Sequence, residues 1–258
     1  MNQRALPPRS AQPILIEIDC ALRTGQLDRV VALAQAALDA GIRNPALHNL
    51  RARALRQVGR LEEALADLRQ SQKLDPRAAS TPADIAACLN ELGRFNQAIA
   101  AAKEAIARDP DLPQPWYQIG LGHQMLRQLD AARNAYLEAI RLDPNFADAL
   151  VRLAGLAELA GNDEEARAFA LRAERVQPGH PGATTVLVNS DLAAGRLTSA
   201  EPRIEALLAN PSVAPVLRAI TLSQLGDLRD AQGRTHEAYQ AYCRAGAMWK
   251  NAYAHNIL

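Results

Sequence analysis

Apolar and small residues return along this chain with a fixed phase. Laid over one another, the segments that begin at Pro45, Ala79, Pro113 and Ala147 match at a spacing of about 34 residues. Ala98, Ala102, Ala105 and Pro110 form one such set. Ala132, Tyr136, Ala139 and Pro144 form the next, followed by Ala166, Ala170, Ala173 and Pro178. Ala64, Leu68 and Pro76 carry the series backwards. Small side chains at helical spacing predict helices that cross their neighbours closely. The proline after each set stops that helix and turns the chain into the next unit. Within each unit a glycine (Gly25, Gly59, Gly93, Gly161, Gly195, Gly233) marks a turn between two helices, where a positive φ is wanted. In the most regular unit Gln128, ahead of a Leu-Asp turn, stands in place of that glycine. The pattern therefore predicts a succession of helical hairpins.

That regular unit reads QPWYQIGLGHQMLRQLDAARNAYLEAIRLDPN. Trp116, Ile119, Gly120 and His123 hold the signature positions of its first helix, and Ala132, Tyr136, Ala139 and Pro144 those of the second helix and closing turn. It resembles a tetratricopeptide repeat (TPR). The resemblance implies an all-α fold, an α-solenoid wound as a right-handed superhelix of about seven TPR hairpins, with a single solenoid over 13–258. The approximate repeats are 11–44, 45–78, 79–112, 113–146, 147–180, 181–214 and 219–252, after a short disordered leader over 1–12. The outer units depart from the pattern. The first lacks a closing proline in phase, and Pro45 stands in for it. Pro202 predicts that the second helix of its unit is short or starts late. About four extra residues within NPSVAPV precede the last unit, which keeps Leu222, Leu225 and Gly226 and ends AYQAYCRAGAMWK.

Composition narrows the class. Of 258 residues 48% are apolar and only 4% aromatic, with Ala and Leu ahead of Val and Ile, which favours helix over strand. A net charge of +1 argues against a general nucleic-acid binder. Three cysteines, far apart, exclude a disulfide framework and fit a reducing, cytoplasmic compartment. No apolar run approaches the length of a membrane span, and the start has no secretory h-region. Arginine heavily outnumbers lysine, which suggests a GC-rich bacterial source.

In the TPR arrangement first helices line a concave groove, the usual working surface. Carried onto this chain, the groove-facing positions include Asn49, Arg53, Arg56, Asp84, Asn90, Glu91, Tyr117, Gln118, Leu121, Gln124, Met125, Arg152, Glu158 and Asn189. The candidate peptide-binding residues are Asn49, Arg53, Arg56, Tyr117, Gln118, Leu121, Gln124, Arg152 and Asn189. Asn and Gln can bond both donor and acceptor of an extended backbone, Arg can grip a carboxylate, and Tyr117 with Leu121 offers an apolar anchor. Arg53, Arg56 and Arg60 share one helix face and make that end of the groove basic, with Arg23 near and Asp19 or Glu91 available to neutralise it. The expected partner is a protein or peptide, an acidic one among the candidates, held by a non-catalytic scaffold or adaptor. The clamp with which some TPR proteins grip chaperone tails is not expected, because none of Lys73, Lys103 and Lys250 falls at its positions.

Catalytic signatures are weak. GLGHQM, from Gly120 to Met125, opens like a Gly-x-Gly loop but lies in a first helix without a preceding strand. Cys20, Cys88 and Cys243 lack metal-ligand spacing and read as core residues; Cys20 and Cys88 share one repeat position. His48, His123, His180, His236 and His255 are scattered. Asp163, Glu164 and Glu165 open a second helix, where negative charge favours the helix N-terminus. No catalytic, cofactor-binding or metal site is assigned. The final unit also resembles the last repeat of bacterial proteins in which a TPR array precedes a sulfotransferase domain. The alternative function is thus the TPR module of such an enzyme, although no Gly-x-x-Arg-Ser-Gly-Thr loop occurs before Leu258. Met248, Trp249, Tyr253, Ile257 and Leu258 make the carboxyl end apolar, either as a folded-back cap or as a docking surface.

Overall fold

The structure is a computed structural model that describes residues 11–254, and the side-chain surroundings of 12–250. The described residues form α-helices and no strands. In chain order these are α1 (Ala11–Arg23), α2 (Leu27–Asp39), α3 (Pro45–Gln57), α4 (Leu61–Leu74), α5 (Ser80–Glu91), α6 (Phe95–Arg108) and α7 (Pro113–Met125). They continue with α8 (Leu129–Leu142), α9 (Ala147–Leu159), α10 (Asp163–Val176), α11 (Pro181–Ala193), α12 (Leu197–Ala209), α13 (Pro215–Ala231) and α14 (Thr235–Ala254). Residues 1–10 of the expected leader, like His255, Ile257, Leu258 and the Tyr253 side chain, lie outside what is described, and α1 already starts at Ala11.

The chain divides between Leu142 and Asp143 into two compact units. In the first, α1 to α8 make four antiparallel hairpins, each second helix packing on the first helix of the next hairpin. In the second, α9 to α14 make three hairpins stacked in the same way. Both units show the helical-hairpin stacking expected of a TPR solenoid. The in-phase alanines Ala64, Ala98, Ala132, Ala166, Ala200 and Ala238 are no more than 2% exposed, so the close crossings fall where the small residues recur.

The turns show what the sequence encodes and what it hides. Gly25, Gly59, Gly93, Gly161, Gly195 and Gly233 all have φ between +68° and +79°. At Gly93 the next amide, Arg94 N–H, closes back onto Leu89 O at 2.8 Å, which satisfies a carbonyl the ending helix leaves free. In the fourth hairpin the residue in this conformation is Arg127, with φ +62°, and not Gln128; phase with Gly93 places it one residue earlier.

The closing turns have a device of their own. Asp75, Asp109, Asp143 and Asn210 each precede a proline, and each side chain accepts the backbone N–H two residues on. The fifth hairpin has Gln177 there instead; Glu174 accepts Gly179 N–H at 3.1 Å in its place. Pro45 does not close the first unit. Gly41, at φ +81°, ends α2, while Pro45 opens α3 behind Asn44, whose Oδ1 accepts from Ala46 N–H at 2.8 Å.

Three further expectations are corrected. Helix α12 runs its full length through Pro202. The ring removes the hydrogen bond to the Thr198 carbonyl, yet burial of Ala200, Ile204 and Leu207 keeps the helix together. Helix α13 begins at Pro215, so the last hairpin starts within the NPSVAPV insertion and before 219. Cys88 is buried, but Cys20 and Cys243 are exposed, because no described helix covers the outer faces of α1 and α14.

Candidate functional site

In the first unit, helices α3, α5 and α7 present their successive turns to two adjoining cavities. One, of about 390 Å³, is lined by Asn49, Leu50, Ala52, Arg53 and Arg56 of α3, Leu68 of α4 and Asp84 of α5. The other, of about 540 Å³, is lined by Arg56 with Ala87, Asn90, Glu91, Gly93, Phe95, Gln114, Tyr117, Gln118, Leu121 and Met125. Arg56 belongs to both. Six of the nine candidate residues, Asn49, Arg53, Arg56, Tyr117, Gln118 and Leu121, therefore line this pair of cavities.

The other three are placed differently. Gln124 Oε1 accepts a hydrogen bond from the hydroxyl of buried Tyr136 at 2.7 Å and is part of the packing between α7 and α8. Arg152 and Asn189 belong to the second unit. There Asn189 Nδ2 donates to Glu158 Oε1 at 3.1 Å, and Gln224 Nε2 donates to Asn189 Oδ1 at 2.6 Å. Burial pushes the Glu158 carboxyl above its usual range, against the Asn189 hydrogen bond.

Around the larger cavity the polar groups are held by one another. Asn90 Nδ2 donates to Gln118 O at 2.9 Å and to Gln118 Oε1 at 3.0 Å, so Gln118, 4% exposed, is largely withdrawn from the surface. Arg56 forms a two-pronged pair with Glu91, its Nε donating to Oε2 at 3.3 Å and its Nη2 to Oε1. Burial works against the Arg56 cation, but the hydrogen bonds and charge of Glu91 outweigh it and raise the group above its ordinary value.

Tyr117 has its ring centroid 5.7 Å from that of Tyr136, tilted by 45°. The apolar end of the cavity is therefore backed by a fully buried ring. Met125, 60% exposed, and Leu121 complete that end.

The smaller cavity has a different electrostatic character. Burial pushes the Asp84 carboxyl above its usual range, with Arg56 and Arg53 opposing. Asn49 Oδ1 is buried without a hydrogen-bond partner among the described residues. The expected basic cluster is mostly neutralised: Arg56 pairs with Glu91, Arg60 with Glu63 at 2.7 Å, and Arg23 with Asp19 at 2.6 Å. Arg53 alone of these four makes no ion pair within 4 Å among the described residues.

Two buried carboxylates that sequence reasoning passed over turn out to be structural. Asp67, 3% exposed on α4, accepts from Arg51 and from the His48 ring of α3. Asp191, on α11, is 0% exposed and accepts from Arg167, Arg196 and Arg203. Neither sits in a recurring pattern, so no periodicity marks them.

The remaining histidines and cysteines form no cluster with metal-ligating geometry among the described residues. No helix is long and apolar enough to cross a membrane, again among the described residues.

Known proteins with this architecture are numerous. The structure of a thermophilic TPR protein of Thermus thermophilus covers 70% of this chain and 99% of its own, with a TM-score of 0.61 and 22% identity. PilF of Pseudomonas aeruginosa gives a TM-score of 0.66 at 16% identity, over 81% of this chain and 92% of that one. PilW, described as a widely conserved type IV pilus biogenesis factor, gives 0.64 at 19% identity, over 79% and 92%. At such identities these likenesses concern the fold alone. No curated protein sequence matches the chain. One family model described as a tetratricopeptide repeat matches residues 17–79 and 117–181, and a second of the same description matches 83–112. Together they span more than half of the sequence, and the chain belongs to the tetratricopeptide repeat family.

Proposed function

We propose that this protein is a non-catalytic interaction scaffold whose first unit holds a segment of a partner protein on the face made by α3, α5 and α7. The observation that carries this reading is the pair of adjoining cavities sharing Arg56, one with an apolar end at Tyr117, Leu121 and Met125 and the other with Arg53, Arg56 and Asp84 in its lining. An apolar side chain of the segment fills the space between Tyr117, Leu121 and Met125. Arg53, free of an ion pair among the described residues, takes an acidic residue of the same segment. Asn49 offers an acceptor to its backbone. Arg152 and Asn189, the latter held between Glu158 and Gln224, lie in the second unit and take no part in this reading. The free, exposed thiols of Cys20 and Cys243 support the cytoplasmic assignment.

Selection of peptides from a displayed random library with the purified chain tests the reading. Selected sequences should share an apolar residue accompanied by an acidic one. They should lose binding to a Tyr117→Ala/Leu121→Asp variant, and bind an Arg53→Glu variant more weakly. Sequences that bind both variants like the parent would overturn it.

A further inference from the structure

The smaller cavity sets two arginines and a carboxylate in one lining. Asp84 lines it together with Arg53 and Arg56, and it receives no hydrogen bond from any described residue. Its interactions are the burial that works against its charge and the attraction of the two cations. Glu91 differs, being fixed to Arg56 by the two-pronged pair. From α4, the carboxylate of Asp67 is already engaged by Arg51 and His48. With Asp84 ionised, the charges of Arg53, Arg56, Asp84 and Glu91 cancel.

Resting on the peptide-binding reading above, we infer that Asp84 is the charge filter of this face. It sets how many carboxylates a bound segment can carry. In its ionised form it competes for Arg53 and repels a second or third acidic residue, so the site selects segments with a single acid beside the apolar anchor. Neutralising Asp84 leaves Arg53 uncompensated and opens the face to strongly acidic segments.

Two fluorescein-labelled nonapeptides test this, each with a central leucine, one carrying three glutamates around it and the other three glutamines, measured by fluorescence anisotropy with the full chain. With the parent protein the glutamate peptide should bind no more tightly than the glutamine one. Asp84→Asn should tighten the glutamate peptide about tenfold, a modest fraction of the charge interaction across a partly buried site, and leave the glutamine peptide unchanged. Asp84→Glu keeps the charge and should retain the parent's ratio. Adding Arg53→Gln to Asp84→Asn should remove the gain. An unchanged glutamate-to-glutamine ratio in Asp84→Asn, with both peptides still binding, would overturn the charge filter alone. Binding of neither peptide to either protein, or binding that survives Tyr117→Ala/Leu121→Asp, would overturn the peptide-binding reading and the filter with it.

Discussion

Tyr136 occupies the space that a side chain at residue 120 would need. A Cβ added to Gly120 would stand 2.9 Å from the Tyr136 Cζ and closer still to Cδ1 and Cε1. The last hairpin repeats the relationship with Gly226 and Tyr242, where the added Cβ would come 2.6 Å from Cδ1 and Cζ. The two rings differ in freedom, Tyr136 being fully buried and Tyr242 41% exposed. Gly120→Ala should therefore cost about 1–2 kcal/mol, overpacking outweighing the gain in helix propensity. Gly226→Ala should cost less, because the partly exposed Tyr242 ring can move outward at the expense of its hydrogen bond to Asp227. Gly155, in α9, has nothing within 4 Å of the same position, and Gly155→Ala should stabilise by about 0.5–1 kcal/mol. Urea denaturation of the three variants checks the order; equal losses for Gly120→Ala and Gly226→Ala would refute the account.

Much of this architecture was legible in the sequence because it repeats. A buried alanine at one crossing is unremarkable, but Ala64, Ala98, Ala132 and Ala166 in phase predict both the helices and their contacts. What failed to show was whatever departs from the repeat. Cys20 shares its repeat position with buried Cys88, yet it is exposed because no described hairpin precedes α1. Pro202 breaks a local rule that tertiary packing overrides. The candidate site was half legible for a related reason. Position in the repeat places Arg56 and Gln118 on the inner face, but only the structure shows them tied to Glu91 and Asn90.

Arg127 holds, with a side chain, the backbone conformation that glycine holds in the other hairpins. An L-residue there bears a steric cost of about 1–2 kcal/mol, part of which glycine returns through its larger unfolded-state entropy. Arg127→Gly should therefore raise stability by about 0.5–1 kcal/mol. Chemical denaturation beside Gly161→Ala in the fifth hairpin, which imposes the opposite change and should destabilise, checks the sign. A loss of stability in Arg127→Gly would mean that its side chain makes a contact worth more than the strain.

The three thiols should react in two classes. Cys20 and Cys243 are exposed, whereas Cys88 is buried, donates to Leu61 O at 3.2 Å and has its thiol pushed up to about 11, chiefly by burial. A coloured disulfide reagent at pH 8 should titrate the first two in the native protein and Cys88 only on unfolding. Replacing Cys20 and Cys243 with serine should abolish the fast class. Fast reaction of Cys88 in that variant would show that α4 and α5 separate readily.

Asp191 ties α11 to α10 and, through Arg196 and Arg203, to α12 and the residue before it. Its Oδ1 accepts from Arg167 Nη1 at 2.7 Å and from Arg196 Nε at 2.8 Å, while Arg203 Nη1 donates to Oδ2. Burial alone would raise this carboxyl, but the hydrogen bonds from Arg196 and Arg167 and the charges around it hold it below the usual range. A carboxyl lowered on folding contributes stability above its unfolded pKa of about 3.9 and loses that contribution as the pH falls through the lower folded value. Asp191→Asn keeps the shape and leaves three arginines facing a neutral group. It should cost about 2–3 kcal/mol at pH 7, less than for a wholly buried pair because the arginines are partly exposed. The gap between parent and variant should stay constant from pH 7 to about 5 and narrow below about 4. Urea denaturation across that range measures it. A gap that persists unchanged into strong acid would mean that Asp191 acts through shape and not through charge.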